Sequence, residues 1–432
     1  MRFSAGSVAE ATGGELVGPD VELDGASFDS RALRPGQLFV PIVAERDGHD
    51  FIDAALAAGA PAYLSARAPL GVGSAIVVAD TAAALLDLGR WGRSRTADRV
   101  IGITGSVGKT SVKDLAAAAL RARWRTAANV RSYNNEQGLP ITILDAPDDT
   151  EALVLEMGAR GPGQIAQLCE VGRPTIGVVT VVAAAHTELL GGLVGVARAK
   201  AELVEALPTG GVAVLNADDE LVAAMARSTS ARVITFGTSP DADVAVSGLH
   251  LSDEACARFT AVTPWGKAEL SLAVPGAHMA TNGAAALAVA LVCDVPLDAA
   301  ADAIGRAGVS PWRMELHRSR GGALVLNDSY NANPTSMRAA LDTLAALPAR
   351  RRVAVLGLMA ELDDPGPQHL ATSEYAGRLG IELVAVGTDL YGVPPAADAI
   401  DAVGPLGDGD AVLVKGSRVT GLEAVAARLL AS

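Results

Sequence analysis

The sequence predicts an α/β protein organised in three blocks, and three observations carry that reading. Short apolar runs of strand length alternate with Ala-rich helical patterns along nearly the whole chain. A Gly-rich turn near residue 105 joins an apolar run to a helical one. Polar residues fall just past the ends of the apolar runs, where open parallel sheets bind ligands. The 432 residues are 50% hydrophobic and 3% aromatic, enough for several cores filled by Ala, Val and Leu. A net charge of −14 argues against a broad nucleic-acid or anionic-membrane surface, but a local phosphate site needs only a few cations and N–H groups. Cys169, Cys256 and Cys293 are widely spaced and form no CxxC pair, which fits a reduced compartment. The start, MRFSAGSVAEATGGEL, has no long apolar stretch after its arginine, and no run reaches about 18 apolar residues. The expectation is a soluble, cytoplasmic protein without stable membrane insertion or a nucleic-acid partner.

The first block, 1–97, alternates strand-like pieces at 37–42 and 75–78 with helical stretches at 51–58 and 81–91, and 93–99 reads as a charged linker. The second, 98–308, has compact strands at 100–104, 152–156, 175–182 and 212–216, with helical patterns at 111–122 and 192–206 between them. That order implies a parallel sheet covered by helices. From 243 to 274 the period changes to two around Pro264, Trp265, Gly266 and Lys267, which predicts an antiparallel hairpin. The third block, 309–432, is again α/β, with strands at 323–326, 352–356, 383–386 and 411–414 and helices at 336–347 and 422–430.

The strongest local signal is GITGSVGKT over 102–110. Backbone N–H groups from Gly105, Ser106, Val107 and Gly108 to Ser111 can surround phosphates, Lys109 supplies a cation and Thr110 a hydroxyl for Mg2+. Ile103 stands where the usual GxxxxGK[ST] loop has its first glycine, so an ordinary glycine turn is the alternative. Glu156 ends one neighbouring strand and His186 follows another; a carboxylate there suits Mg2+, whereas a histidine is an unusual ligand and also reads as a loop residue bonded to backbone. Lys200, with Arg198 and Glu202 nearby, reads from spacing alone as part of a solvated helix face. Asn134, Asn135 and Gln137, followed by Gly138 and Pro140, form a polar turn of common composition.

In the third block, Trp312, Arg313 and the segment NDSYNANP over 327–334 stand out. Asn333 or Thr335 would serve as a helix cap in any case, but Asp328 and Tyr330 are not needed for that. KGSR over 415–418 offers two cations after a strand, as an anion site or as a plain turn.

In their order these motifs resemble the Mur ligases, and within them the branch that adds D-alanyl-D-alanine (the MurF type). The series runs TGSVGKTS, NNEQGLP at 134–140, EMGA at 156–159, HTE at 186–188, AKAE at 199–202, NAD at 216–218, PGAH at 275–278 with Asn282, DSYNANP at 328–334 and KGSR. The DSYNANP and KGSR pair separates this branch from ligases that add single amino acids. The resemblance implies a three-domain Mur ligase architecture: a UDP-muramoyl domain, a central P-loop domain that binds ATP, and a Rossmann-like C-terminal domain. It implies that Ser30, Arg31, Arg46, His49, Asn134 and Asn135 serve the UDP-linked substrate. Lys109 and Thr110 would hold ATP and Mg2+, with Glu156 and His186 as further metal ligands. Lys200 looks like the lysine that is carbamylated in several relatives and supports a second Mg2+. Asn282 and His278 would face the adenine, and Arg313 and Asp328 would reach ATP from the third domain. Tyr330, Asn331, Asn333, Lys415 and Ser417 would meet the incoming dipeptide or make closure contacts.

The implied reaction joins D-alanyl-D-alanine to UDP-N-acetylmuramoyl-tripeptide through an acyl phosphate, releasing ADP and phosphate, in a monomer. Asn327, Met279 and Leu358 depart from residues common at those places in relatives, which bears on the acceptor and closure contacts. A related ligase for a different amino acid or dipeptide, and a non-catalytic nucleotide-binding scaffold, are the competing readings.

Overall fold

In a computed structural model, which describes residues 1–130, 133–183 and 190–431, three main sheets follow one another along the chain, beside a two-stranded antiparallel pair of Arg2–Ser4 with Glu22–Asp24. The first orders its strands Glu15–Val17, Ser74–Val77, Ala62–Ser65, Leu38–Phe39 and Ala26–Ser27; only the edge strand Glu15–Val17 runs antiparallel. The strand expected over 37–42 is confined to Leu38–Phe39, because Pro41 follows and cannot donate to a ladder.

The helix Thr81–Arg93 closes this unit, capped by Asp80, whose carboxylate accepts from the N–H groups of Ala82 and Ala83. Its Gly89 and Gly92 let the helix Gly138–Asp145 come close: a Cβ at Gly89 would lie 2.8 Å from Pro140, and one at Gly92 3.0 Å from Leu144. The segment 93–99 is not the free linker its charge suggested. Arg93 is buried and donates from Nε to Gly172 O at 2.8 Å, so its guanidinium caps the carbonyl end of the helix Gln164–Gly172.

The central sheet has nine strands among the described residues, in the order Gly266–Pro275, Cys256–Thr263, Val244–Leu251, Arg232–Gly237, Val212–Asn216, Ile176–Val179, Val100–Thr104, Ala152–Glu156 and Thr126–Ala128. Pairing is parallel from Val244–Leu251 to Thr126–Ala128, and the first three strands in that order form an antiparallel meander. The predicted hairpin is therefore part of a larger three-stranded extension. The strand expected over 175–182 stops at Val179 because Thr180 turns into the Gly-rich loop, donating from Oγ1 to Val107 O at 2.6 Å. The Ala-rich helix His278–Val292 packs beside the helix Lys109–Arg121 in the main core.

The last sheet orders Glu315–Arg318, Leu324–Asp328, Asp410–Lys415, Arg351–Leu356 and Glu382–Ala385, parallel except for its first strand. Glu156 ends its strand in the central sheet, and Asp328 and Lys415 end theirs in the last, and all three line one region between the units.

Candidate active site

A cavity of about 540 Å³ opens where the three units meet. Its floor is the Gly-rich loop between Val100–Thr104 and Lys109–Arg121. Gly105 has φ 147°, and a Cβ there would lie 1.8 Å from Thr180 Oγ1; Gly108 has φ 86°, and its Cβ would lie 2.8 Å from Asn282 Oδ1. Both positions need glycine, for conformation and for space. No side chain caps the helix that begins at Lys109, so its first N–H groups remain available for an anion. Ser106 is more committed: its N–H donates to Val181 O at 2.7 Å and its hydroxyl to Ala183 O at 2.9 Å. Lys109 folds back on the loop, with Nζ 2.7 Å from Gly105 O. Burial holds its pKa below the usual lysine range, with Glu156 opposing and Arg313 adding to the depression.

Glu156 is buried at its strand end and accepts from Thr110 Oγ1 at 2.8 Å and from Asn134 Nδ2 at 2.7 Å. Its backbone N–H is held by Asn129 Oδ1 at 2.5 Å. The pair Thr110 and Glu156 thus presents a hydroxyl and a carboxylate to the cavity, a set of hard oxygen donors of the kind Mg2+ takes. His186 lies outside the described residues.

Lys200 corrects the spacing argument. It is 5% exposed and lines the cavity, and burial with nearby Lys109 pulls its pKa down to about 7. Glu202 is half-buried, and its carboxylate accepts from Gly163 N at 2.7 Å and Ala166 N at 3.0 Å, at the start of the helix Gln164–Gly172.

The opposite wall comes from the third unit. The Arg313 guanidinium lies 4.2 Å from the centroid of the Tyr330 ring, and its buried Nε has no hydrogen-bond partner among the described residues. Asp328 accepts from Met314 N at 3.2 Å and is ion-paired with Lys415, whose Nζ also donates to Asn331 O at 2.9 Å. Lys415 lines the cavity and is 1% exposed, a buried cation whose charge is offset by Asp328. Ser417 also departs from expectation: it does not line the cavity, and its hydroxyl accepts from Ala360 N at 3.0 Å to tie two loops together. Asn333 lines the cavity but its Oδ1 caps the helix Pro334–Ala346 in a capping box with Ser336. Asn331, Asn282 and His278 line the cavity too, and burial lowers the His278 pKa, which keeps its imidazole neutral at pH 7.

The first unit contributes Phe28, whose ring lies 5.3 Å from that of Tyr133. Asn134 and Asn135 line the cavity, although Asn135 Oδ1 also accepts from Gly138 N at 2.9 Å. Ser30, Arg31 and Arg46 lie outside its lining, with Arg31 exposed and paired with Asp29 at 2.9 Å. His49 is a correction. It is 7% exposed with both ring nitrogens engaged, Nδ1 with Asp47 at 2.6 Å and Nε2 accepting from Ala66 N at 3.0 Å, so it braces a loop. Sequence reasoning passed over Tyr133, Glu361 and Asn129; of these only Tyr133, an aromatic in a chain with 3% aromatics, carried a visible signal.

The departures have local accounts. Asn327 Oδ1 accepts from Ser329 Oγ at 2.7 Å, and Met279 is buried with its sulfur 3.4 Å from Asn282 Nδ2. Leu358 supplies a carbonyl to Ser417 N.

Comparison with known proteins agrees with this geometry. The Mur ligase middle domain matches residues 103–290, and the Mur ligase glutamate ligase domain matches 312–418. A UDP-N-acetylmuramoyl-tripeptide–D-alanyl-D-alanine ligase of Mycobacterium bovis is 38% identical over 100% of this chain and 98% of its own length. The crystal structure of MurF from Acinetobacter baumannii superposes with TM-score 0.86 at 28% identity, covering 100% of this chain and 99% of that one. That of MurF from Thermotoga maritima in complex with ADP gives 0.81 at 26% identity, over 93% and 96%. Nucleotide-loop geometry, the three-unit cavity and these likenesses converge: the chain belongs to the Mur ligase family, in its UDP-N-acetylmuramoyl-tripeptide–D-alanyl-D-alanine ligase branch.

Proposed function

We propose that this protein is an ATP-dependent, ADP-forming ligase that joins D-alanyl-D-alanine to UDP-N-acetylmuramoyl-tripeptide in peptidoglycan precursor synthesis. The observation that carries the reading is the meeting of Lys109, the Thr110–Glu156 pair, Lys200 and Arg313 around one cavity. Acyl phosphate chemistry brings anions together, and these groups are what that chemistry needs. The tripeptide carboxylate attacks the γ-phosphorus of ATP, ADP leaves, and the amine of the dipeptide then displaces phosphate from the acyl carbon. Lys109, Arg313 and the loop N–H groups offset the charge of the transferring group.

Thr110 and Glu156 would hold Mg2+, which when bound would supply positive charge against the phosphate groups. Lys200 would support a second Mg2+ as a carbamate; an amine with a pKa near 7 is substantially neutral at physiological pH, and the neutral amine is the form that adds CO2. Asn282 and neutral His278 would face the adenine, with Asp328 and Arg313 reaching the nucleotide. Tyr330 and Asn331 would face the dipeptide. Ser30, Arg31, Arg46, Asn134 and Asn135, with Phe28 and Tyr133, would serve the UDP-linked substrate. We assign 1–97, 98–308 and 309–432 as the three domains, and a monomeric, cytoplasmic protein without a nucleic-acid partner. Among the described residues no helix is long and apolar enough to cross a membrane.

The test is ADP release from purified protein with Mg-ATP, the UDP-muramoyl-tripeptide and D-alanyl-D-alanine, omitting each in turn. Release that needs all three, with a pentapeptide product by mass, is expected. Turnover with another amine but not with this dipeptide would overturn the acceptor, and ADP release indifferent to both peptides would overturn ligation.

A further inference from the structure

We propose that Asp114 is a positioning residue that fixes the connector 310–314 to the nucleotide-loop helix, so that Arg313 is presented to the transferring phosphoryl group. The proposal rests on the ligase reading above. The connector leads from the helix Leu297–Arg306 of the central unit into the strand Glu315–Arg318 of the third. Its backbone is strained on both sides of Arg313: Trp312 has φ 61° and Met314 φ 52°, in the left-handed region that residues with a Cβ avoid. Such a conformation persists where surrounding contacts impose it.

Those contacts are specific. Asp114 Oδ2 accepts from both Ser310 N, at 2.6 Å, and Ser310 Oγ, at 2.7 Å. Trp312 O accepts from Tyr330 N at 3.1 Å, and the Trp312 ring lies 4.5 Å from the Arg418 guanidinium. Met314 N donates to Asp328. Of these anchors only Asp114 belongs to the central unit, on the same helix that carries Lys109 and Thr110 in its first turn. Its other oxygen, Oδ1, pairs at 2.9 Å with the buried Lys113, whose Nζ donates to Asn129 O at 3.0 Å. Asn129 in turn holds the Glu156 N–H. A chain of hydrogen bonds, charge-assisted at Asp114 and Lys113, therefore references the third-domain cation to the phosphate loop and to the Glu156 strand end.

The test uses the full chain with Asp114→Ala, Asp114→Asn and Ser310→Ala, measuring kcat, KM for ATP and ADP affinity without peptide substrates. Asp114→Ala, which removes both bonds to Ser310, is expected to lower kcat about tenfold to a hundredfold, since displacement of a reacting group by an ångström has effects of that size. ADP affinity should stay within about twofold, because the phosphate loop itself is untouched. Asp114→Asn keeps an oxygen that can accept both bonds and should recover most of kcat. Ser310→Ala, which removes one of the two bonds, should lose roughly threefold and serves if Asp114→Ala fails to fold. Unchanged kcat in the folded alanine variants would overturn the proposal, as would ADP affinity falling in step with kcat, the mark of a merely disturbed helix. Wild-type turnover run alongside separates the failures: no ligation by wild type sinks the functional reading, and ligation with an unimpaired alanine variant sinks the positioning role.

Discussion

Lys200 is held where its proton is easily lost. Its pKa of about 7 in the folded chain lies below the 10.5 of an ordinary lysine, with burial the larger cause and Lys109 the smaller. The sign follows from proton counting. Between pH 7 and 10.5 the unfolded chain binds a proton that the folded chain has released, so stability rises with pH across that window. Below pH 7 the full penalty of a buried charge applies. Lys200→Met should therefore be more stable than wild type by roughly 2–5 kcal/mol near pH 6, with the advantage shrinking toward pH 10.5. Denaturant titrations of both proteins in carbonate-free buffer at several pH values would check this, and a pH-independent difference would contradict it. Ligase activity of the variant should fall sharply all the same, since a methionine can neither take up CO2 nor bind a cation. Spacing could not reveal any of this. The helix Gly192–Glu205 is rich in Ala, Val and Gly on several faces, so its buried side is decided by the neighbouring Gln164–Gly172 helix, to which Glu202 turns.

Elements near the site do two jobs, and the helix Pro334–Ala346 separates them. Asn333 satisfies Ser336 N while Ser336 Oγ accepts from Asn333 N, so both ends of the capping box are closed. Asn333→Ala is expected to destabilise the protein by about 1 kcal/mol, as loss of such a cap generally does. It should also leave the acceptor KM nearly unchanged, because the side chain's oxygen is already spent on the helix. A large rise in KM with unchanged thermal stability would instead return Asn333 to the dipeptide. Most elements were legible in the sequence: the strands Val100–Thr104, Ala152–Glu156 and Val212–Asn216 fall where their apolar runs predict. The losses share one cause. Leu38–Phe39 and Ile176–Val179 are shorter than their runs because proline and Thr180 redirect the backbone, and hydrophobicity does not record where a ladder ends. Arg93 looked like linker charge because its carbonyl partners come from 79 and 80 residues away.

Three units share one cavity, so the seams between them matter as much as the walls. At the seam of the first and second units, Asp145 Oδ1 accepts from Gln37 Nε2 at 2.9 Å and Ala26 N at 3.2 Å, with Arg34 at 3.3 Å. Gly25 is required there: a Cβ would stand 2.1 Å from the same oxygen. Desolvation raises the Asp145 pKa, with Arg34 and the two hydrogen bonds opposing it, so the charged form is worse placed here than in water. All three partners use one oxygen, which an asparagine can reproduce without the charge. Asp145→Asn should then match or slightly exceed wild-type stability at pH 7, since the ordinary carboxylate is fully ionised there. Asp145→Ala leaves the Gln37 and Ala26 donors unmet and should cost about 1–3 kcal/mol. Function should follow the same order. Loosening this seam moves Phe28 relative to Tyr133 but leaves the nucleotide loop in place, so Asp145→Ala should raise KM for the UDP-linked tripeptide several-fold, on the order of 1 kcal/mol, and leave ADP affinity alone. Thermal melts paired with KM values for both substrates would decide it. Equal losses in Asp145→Asn and Asp145→Ala would show that the charge itself, with Arg34, holds the first unit against the second.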